Sequence, residues 1–279
     1  MTRFLYNDLD ISGGSRMREY RMLPTVLYKE GKRLAENDAI AIETALELRL
    51  DDDFIAAFVC TPGLEDELSV GFLLSSGIVA QPDHIASVKT VNNRCGVKLV
   101  NGVRARKANS PAIRRVVTTE CSAPDMLRTL RTGGEIPRLD FKLEVEPDLI
   151  FSISSEMREV QEVHRKTGAT HAALIQEIGR EARIIAEDLG RHNAVDKCIG
   201  LAVKKSKDLR KCLLFSSGRL TADVVSKCAW SSIPLLVSSS VATDAGIKVA
   251  EKGNITLIGA LRGNRMRIYH EGAAKLLRE

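Results

Sequence analysis

Along the first half of the chain, apolar and polar residues change places with a period that switches from two to about 3.6. Ala45-Leu46-Glu47-Leu48-Arg49-Leu50 puts every second side chain on one face, which predicts a half-buried strand. Asp51-Asp52-Asp53 turns the chain into a second strand over residues 54–60, and Thr61-Pro62-Gly63 ends it. Leu64, Leu68, Phe72 and Ile78 then follow helical spacing, with Gly77 near the stop. Residues 87–91 and 97–100, broken by Asn92-Asn93, with a basic strand from Asn101-Gly102 through Lys107, read as a β-meander. Short strands are expected from Thr25 to Phe58. Residues 1 to about 22, with Gly13, Gly14 and a basic cluster, are expected to form a weakly ordered arm. Val116-Val117 leads to a loop over residues 118–124, and residues 126–130 predict a short helix before Gly133-Gly134.

The second half alternates between the two periods. A helix is predicted over residues 152–165, strands over 169–175 and 182–186, and then a helix whose Val195, Cys198, Ile199 and Ala202 recur at i, i+3, i+4 and i+7. A strand over 211–215, a helix near 221–230, a strand over 234–237, a helix near 244–251 and strands over 255–260 and 266–269 complete the series. Such alternation implies an α/β sandwich with a largely parallel central sheet. Gly, Pro and charge concentrate over residues 131–148. The boundary is therefore expected there, between an N-terminal α+β domain (1–135) and an α/β domain (136–279).

Composition narrows the function classes. With 44% hydrophobic and 28% charged residues the chain has the make-up of an ordinary globular protein. A formal charge of +5 suits an anionic small molecule but is too weak to argue for DNA, and 4% aromatic residues leave few stacking platforms for single strands. No apolar run reaches the roughly 18 residues of a membrane helix. Six dispersed cysteines, several in apolar runs, read as reduced core residues, and a cytoplasmic location is expected.

Candidate chemistry gathers at Glu187-Asp188-Leu189-Gly190-Arg191-His192-Asn193-Ala194-Val195-Asp196-Lys197, where a strand runs into a helix. Ligands bind at such junctions in α/β sheets, and free N–H groups at the helix start favour anions. Capping by Asp188 or Asn193 among otherwise solvated charges is the plain alternative, but a cap uses one such residue and seven polar ones are present. Three further strand ends carry small or basic residues: Ser216-Ser217-Gly218-Arg219, Ser238-Ser239-Ser240 and Ala260-Leu261-Arg262-Gly263-Asn264-Arg265. Several of these in one sheet favour a phosphate-bearing, nucleotide-like ligand. Cys121, in the polar Thr118-Thr119-Glu120-Cys121-Ser122-Ala123-Pro124, could act as a nucleophile or sulfur carrier, or be an incidental surface thiol. His171 opens a strand, either as a satisfied core histidine or as a proton-transfer group. Ala173 stands where a zinc deaminase would carry its glutamate, and no C-x-x-C follows.

The segment 187–197, together with Thr61-Pro62-Gly63, Gly71-Phe72-Leu73-Leu74-Ser75-Ser76-Gly77-Ile78, Thr167-Gly168, His171-Ala172-Ala173 and Ser217-Gly218-Arg219, resembles the formate dehydrogenase accessory sulfurtransferase family, FdhD. The resemblance implies a cytidine-deaminase-like three-layer α/β sandwich without a zinc site, beside a smaller N-terminal α+β domain. It also implies a cytoplasmic homodimer that takes sulfane sulfur from a cysteine desulfurase as a persulfide. That sulfur passes to the molybdenum cofactor, bis-molybdopterin guanine dinucleotide, needed by formate dehydrogenase. By position Cys121 would carry the persulfide. Ala260, Leu261, Arg262, Gly263, Asn264 and Arg265 would bind the cofactor, with Ser217, Gly218, Arg219, Arg191, His192 and Asn193 around it. One departure stands out: the family loop usually reads Cys-Gly-x-Cys-Gly, and here Pro124 replaces the second cysteine. A chaperone that binds the cofactor without transferring sulfur is the alternative this suggests, and a nucleotide hydrolase using Asp188 and His192 is a third reading.

Overall fold

The computed structural model describes residues 19–106, the backbone of 115–117 and residues 136–277, the side chain of 158 excepted. The loop carrying Cys121, the helix expected over 126–130, Lys107 and the first part of the expected arm lie outside the described residues.

The N-terminal strands follow the alternation of the sequence. β1 (Tyr20–Lys29) and β2 (Lys32–Ala41) form a two-stranded antiparallel ribbon. β1 takes in Tyr20, Arg21 and Met22, which were expected in the arm, and both ribbon strands are ten residues long rather than short. β3 (Thr44–Leu50), β4 (Asp53–Cys60), β5 (Ile85–Val91), β6 (Arg94–Leu99) and β7 (Arg115–Val117) build a sheet in the order β5-β6-β3-β4-β7. Leu46, Leu48 and Leu50 point inward, as their spacing requires, and meet Leu68, Phe72 and Leu73 of α1 (Glu65–Ser75). Past Asn101-Gly102 the described residues are not in a strand, so the third strand expected toward Lys107 does not form over 103–106.

The C-terminal half is a three-layer unit. α2 (Pro147–Val160) and α3 (Glu162–Thr167) replace the single helix expected over 152–165, with a break at Gln161, whose ψ of 79 is not helical. β9 (His171–Glu177), β10 (Arg183–Asp188), β11 (Cys212–Ser216), β12 (Leu235–Ser238), β13 (Thr256–Arg262) and β14 (Arg265–His270) form a sheet in the order β10-β9-β11-β12-β13-β14. Only β11–β12 and β12–β13 are parallel, so the sheet is mixed rather than largely parallel. The physical reason is connection length: β9 reaches β10, and β13 reaches β14, through short turns that permit only antiparallel pairing. Helices α4 (Arg191–Lys204), α5 (Ala222–Trp230) and α6 (Asp244–Gly253) cover one face, where Ala173, Ile175, Leu214 and Leu236 meet Val195, Ile199, Val225 and Val249. Helix α2 covers the other, with Ile150, Ile153 and Met157 against Leu174, Phe215 and Val237. Covering both faces explains the near-continuous apolar run of β11 and β12. Two short strands, β8 (Leu143–Val145) and β15 (Ala274–Leu276), pair in parallel beside it.

The two halves meet where α1 crosses α4. A Cβ at Gly71 would lie 1.8 Å from the Asp196 carbonyl oxygen, and one at Gly200 would lie 2.0 Å from that of Glu67. Only glycine lets the two backbones come this close. Gly71→Ala should therefore cost about 3 kcal/mol or more, because the obstacle is backbone and cannot rotate away. Gly96→Ala, where a Cβ meets nothing within 4 Å, should change stability by no more than about 0.5 kcal/mol. Urea unfolding of the two variants checks this.

Candidate functional site

Sheet register places the strand-end motifs together. Asp188 at the end of β10 is opposite His171 at the start of β9; Ser216 at the end of β11 is opposite Ala173 and Ser238; Val237 is opposite Ile258. The junctions after β10, β11, β12 and β13, and the start of β9, therefore share one edge of the sheet. Hydrogen bonds stitch that edge crosswise. Ser217 N–H donates to the Ala172 carbonyl (2.9 Å), its Oγ accepts from Ala172 N–H (3.0 Å), and it lies 3.1 Å from His171 Nδ1. Ser238 Oγ donates to the Gly218 carbonyl (2.7 Å) and accepts from Ser240 N–H (2.8 Å), and Ala260 N–H donates to the Ser240 carbonyl (2.7 Å). Ser217, Gly218, Arg191 and Ala260 are thus brought into one band. Arg191 lies directly on Gly218, where a Cβ would stand 2.6 Å from its Cδ.

The remaining predicted residues are distributed around this band. Arg219 is exposed beside it. Leu261 is buried in the core under α2, whereas Arg262, Gly263, Asn264 and Arg265 form the exposed tip of the β13–β14 hairpin, with Arg262 directly opposite Arg265. Ala260, at φ 52, bends β13 out of its ladder just before that tip.

The segment 187–197 divides in two. Its larger part is structural and buried. The Asp188 carboxylate, fully buried, takes Lys197 Nζ at 2.7 Å, Thr61 N–H at 3.0 Å and Thr61 Oγ1 at 3.0 Å on one oxygen. Its other oxygen accepts from Gly190 N–H (2.9 Å) and Asn193 Nδ2 (3.0 Å). Lys197 Nζ also donates to the Thr61 carbonyl (2.9 Å) and Oγ1 (2.8 Å), which uses all three of its protons. Asn193 spends its second amide proton on the Val59 carbonyl at 2.9 Å. One turn on, Asp196 accepts from Lys227 Nζ of α5 through both oxygens (2.8 and 2.7 Å) and from Ser75 Oγ of α1 (2.6 Å). Glu187 accepts from Val163 N–H, His164 N–H and Thr170 Oγ1, so it caps α3. Neither Asp188 nor Asn193 caps α4, whose N-cap is Gly190. Thr61, Ser75 and Lys227, which complete these networks, were not singled out as site residues. Thr61 and Ser75 lie in the motifs that carry the family resemblance, and Lys227 is signalled only as a charge between Val225 and Cys228.

What faces the edge is Arg191 and His192, at the start of α4. Arg191 Nε is buried and has no acceptor among the described residues. Burial, with Lys227, Arg191 and His171 nearby, holds His192 well below the usual histidine range, and burial with Arg191 and His164 lowers His171. The half-buried Arg191 guanidinium at the N-terminus of α4 makes the edge electropositive, and burial keeps the two imidazoles beside it neutral. No group of three or more His, Cys, Asp or Glu that could hold a metal occurs among the described residues.

The cysteines divide just as sharply. Cys60, Cys95, Cys198, Cys212 and Cys228 are free and buried. Burial pushes the thiols of Cys60 and Cys212 up to about 12 and that of Cys95 to about 11, and raises Cys198 and Cys228 as well. None of the five is placed to act as a thiolate.

The lowered histidines fix a pH dependence. In the unfolded chain each takes a proton near pH 6.5, which the folded protein refuses, so stability is full above that value and falls as pH drops below it. Urea unfolding between pH 7 and pH 5 should lose up to about 1.4 kcal/mol per pH unit for each histidine. His192→Gln should flatten the profile.

The FdhD/NarQ family model matches residues 41–275. A curated relative from Sulfurisphaera tokodaii, named sulfur carrier protein FdhD, is 35% identical over 241 residues, covering 84% of this chain and 90% of that protein. One of the same name from Saccharolobus solfataricus is 33% identical over 266 residues, covering 92% and 97%. The crystal structure of a formate dehydrogenase accessory protein from Desulfotalea psychrophila superposes with a TM-score of 0.70 at 23% identity, covering 91% of this chain and 97% of that one, which establishes a shared fold. No described helix is long and apolar enough to cross a membrane. On the extent of these matches, the chain belongs to the FdhD/NarQ family.

Proposed function

We propose that this protein is a sulfur carrier that serves formate dehydrogenase maturation, with Cys121 as its persulfide. The observation that carries the reading is the state of the thiols: five of the six cysteines are buried and raised, which leaves Cys121, in its polar stretch, for thiolate chemistry. The names of the two relatives point the same way. In the loading step the Cys121 thiolate attacks the outer sulfur of a cysteine desulfurase persulfide. One S–S bond breaks and another forms, and the desulfurase cysteine departs as the thiolate, so no external oxidant is needed. With Pro124 in place of a second cysteine, the persulfide cannot be discharged into a neighbouring disulfide, which suits onward delivery to an acceptor.

The acceptor in this reading is the molybdenum cofactor, bis-molybdopterin guanine dinucleotide, handled as cargo. Its pyrophosphates fit the electropositive sheet edge: Arg191 Nε has no acceptor among the described residues, Gly218 lets the Arg191 side chain pack directly on the backbone there, and α4 begins at that point. Arg262 and Arg265, opposite each other across the hairpin, would close on a second phosphate. We further read the C-terminal three-layer unit as cytidine-deaminase-like, the site as cytoplasmic, and the working assembly as a homodimer.

Intact-mass spectrometry after incubation with a cysteine desulfurase and cysteine tests the carrier role. The expected result is a gain of one sulfur atom, removed by reductant and absent in Cys121→Ala. A wild-type protein that gains no sulfur yet binds guanosine diphosphate would overturn it in favour of a chaperone without chemistry.

A further inference from the structure

The β9–β11 ladder ends on a side chain. These antiparallel strands pair as far as Ser216↔Ala173. The next position is a bonded one, because Ser217 N–H donates to the Ala172 carbonyl (2.9 Å), and a bonded antiparallel pair ordinarily exchanges two bonds. The return bond here runs from Ala172 N–H to Ser217 Oγ, at 3.0 Å. A hydroxyl therefore stands where the ladder would have placed a carbonyl, and the backbone of β9 fixes its position. His171, the first residue of β9, has its Nδ1 3.1 Å from that oxygen.

The hydrogen bonds of that hydroxyl decide the state of the ring. A serine oxygen has one proton to donate and two lone pairs to accept with. Ala172 N–H occupies one lone pair. A protonated Nδ1 would occupy the other and leave the hydroxyl proton without an acceptor among the described residues. An unprotonated Nδ1 accepts that proton, and every group is then satisfied. The ring hydrogen sits on Nε2 in that case and points away from Ser217. Burial, then Arg191 and His164, hold His171 below the usual histidine range, so the half-buried ring is neutral. Burial likewise keeps His192 neutral beside it. The Asp188 carboxylate, opposite His171 on β10, is taken up by Lys197, Thr61, Gly190 and Asn193.

From this geometry we propose that His171 is a further ligand contact of the sheet edge, an Nε2–H donor aimed by Ser217 at a phosphate oxygen bound beside Arg191. The proposal rests on the cofactor reading given above and deepens it. Ser217 becomes a positioning residue that acts through the ring. The two ligand contacts then do different work. Arg191 supplies charge, which attracts any anion and is screened by salt. His171 supplies a directed donor that leaves the net charge of the edge unchanged, so it selects where an oxygen sits rather than whether an anion approaches.

Long-range proton–nitrogen NMR of the full chain, labelled at its five histidines, reads each ring's tautomer at neutral pH. The His171 signals are identified by their loss in His171→Asn. The expected result is the Nε2–H tautomer, with the Nε2 resonance displaced on adding guanosine diphosphate. Calorimetry supplies the second readout. His171→Asn keeps an acceptor for the Ser217 hydroxyl but has no donor at the Nε2 position, so it should lose guanosine diphosphate affinity about tenfold with its unfolding midpoint unchanged. His171→Gln, whose amide reaches the Nε2 position, should stay within about threefold of wild type. An Nδ1–H tautomer, an Nε2 resonance that guanosine diphosphate leaves unmoved, or equal affinities in the two variants would overturn the proposal. None of these readouts involves sulfur, so a protein that passes them yet gains no sulfur on Cys121 fails the carrier reading alone.

Discussion

A lysine with no exposed surface is the constraint on which the rest of this structure depends. Lys197 is carried into the interior by the apolar stripe of α4, and taking an ammonium out of water costs several kcal/mol unless every proton finds an acceptor. The Asp188 carboxylate and two oxygens of Thr61 supply them. These partners come from two places in the chain, the end of β10 and the residue after β4, and meet on α4. Satisfying one buried charge thus fixes the end of the N-terminal sheet against the start of α4. The Asp196–Lys227–Ser75 group repeats the arrangement one turn on and adds α1 and α5. Glycines at 71 and 200 bring the two backbones close enough for both networks to close.

The sheet edge inherits its geometry from this clamp. Asp188 and Asn193 hold Gly190, so α4 starts at a fixed place with Arg191 laid over Gly218. A site for an anion built this way needs little rearrangement on binding, because its cation and its helix terminus are positioned by buried bonds rather than by loops. The exposed hairpin at Arg262 and Arg265 is the contrasting part: two like charges held opposite each other by backbone pairing alone.

Much of the fold could be read from periodicity, because burial on one face or two leaves a direct trace. Leu46, Leu48 and Leu50 gave β3, and Val195, Cys198, Ile199 and Ala202 gave the buried side of α4. Parallel and antiparallel pairing leave no such trace, which is why the sheet turned out mixed. The break at Gln161 was hidden because polar residues on both sides of it suit a continuous helix as well as two. The polar crowd at 187–197 pointed to the right junction for only part of the right reason. Sequence cannot distinguish a charge that faces a ligand from one that faces a partner elsewhere in the chain, and Thr61, Ser75 and Lys227 are such partners. Arg191 and His192 were separable from Asp188, Asn193, Asp196 and Lys197 only once burial was known.

That division is the central claim, and two substitutions measured side by side test it most directly. Guanosine diphosphate affinity and thermal unfolding would be followed in Arg191→Gln and Lys197→Met. The account predicts that Arg191→Gln loses affinity by about tenfold or more with its unfolding midpoint unchanged. Lys197→Met, which strands the buried Asp188, should lose about 3–5 kcal/mol of stability. Wild-type affinity in Arg191→Gln, or an unaltered midpoint in Lys197→Met, would contradict it.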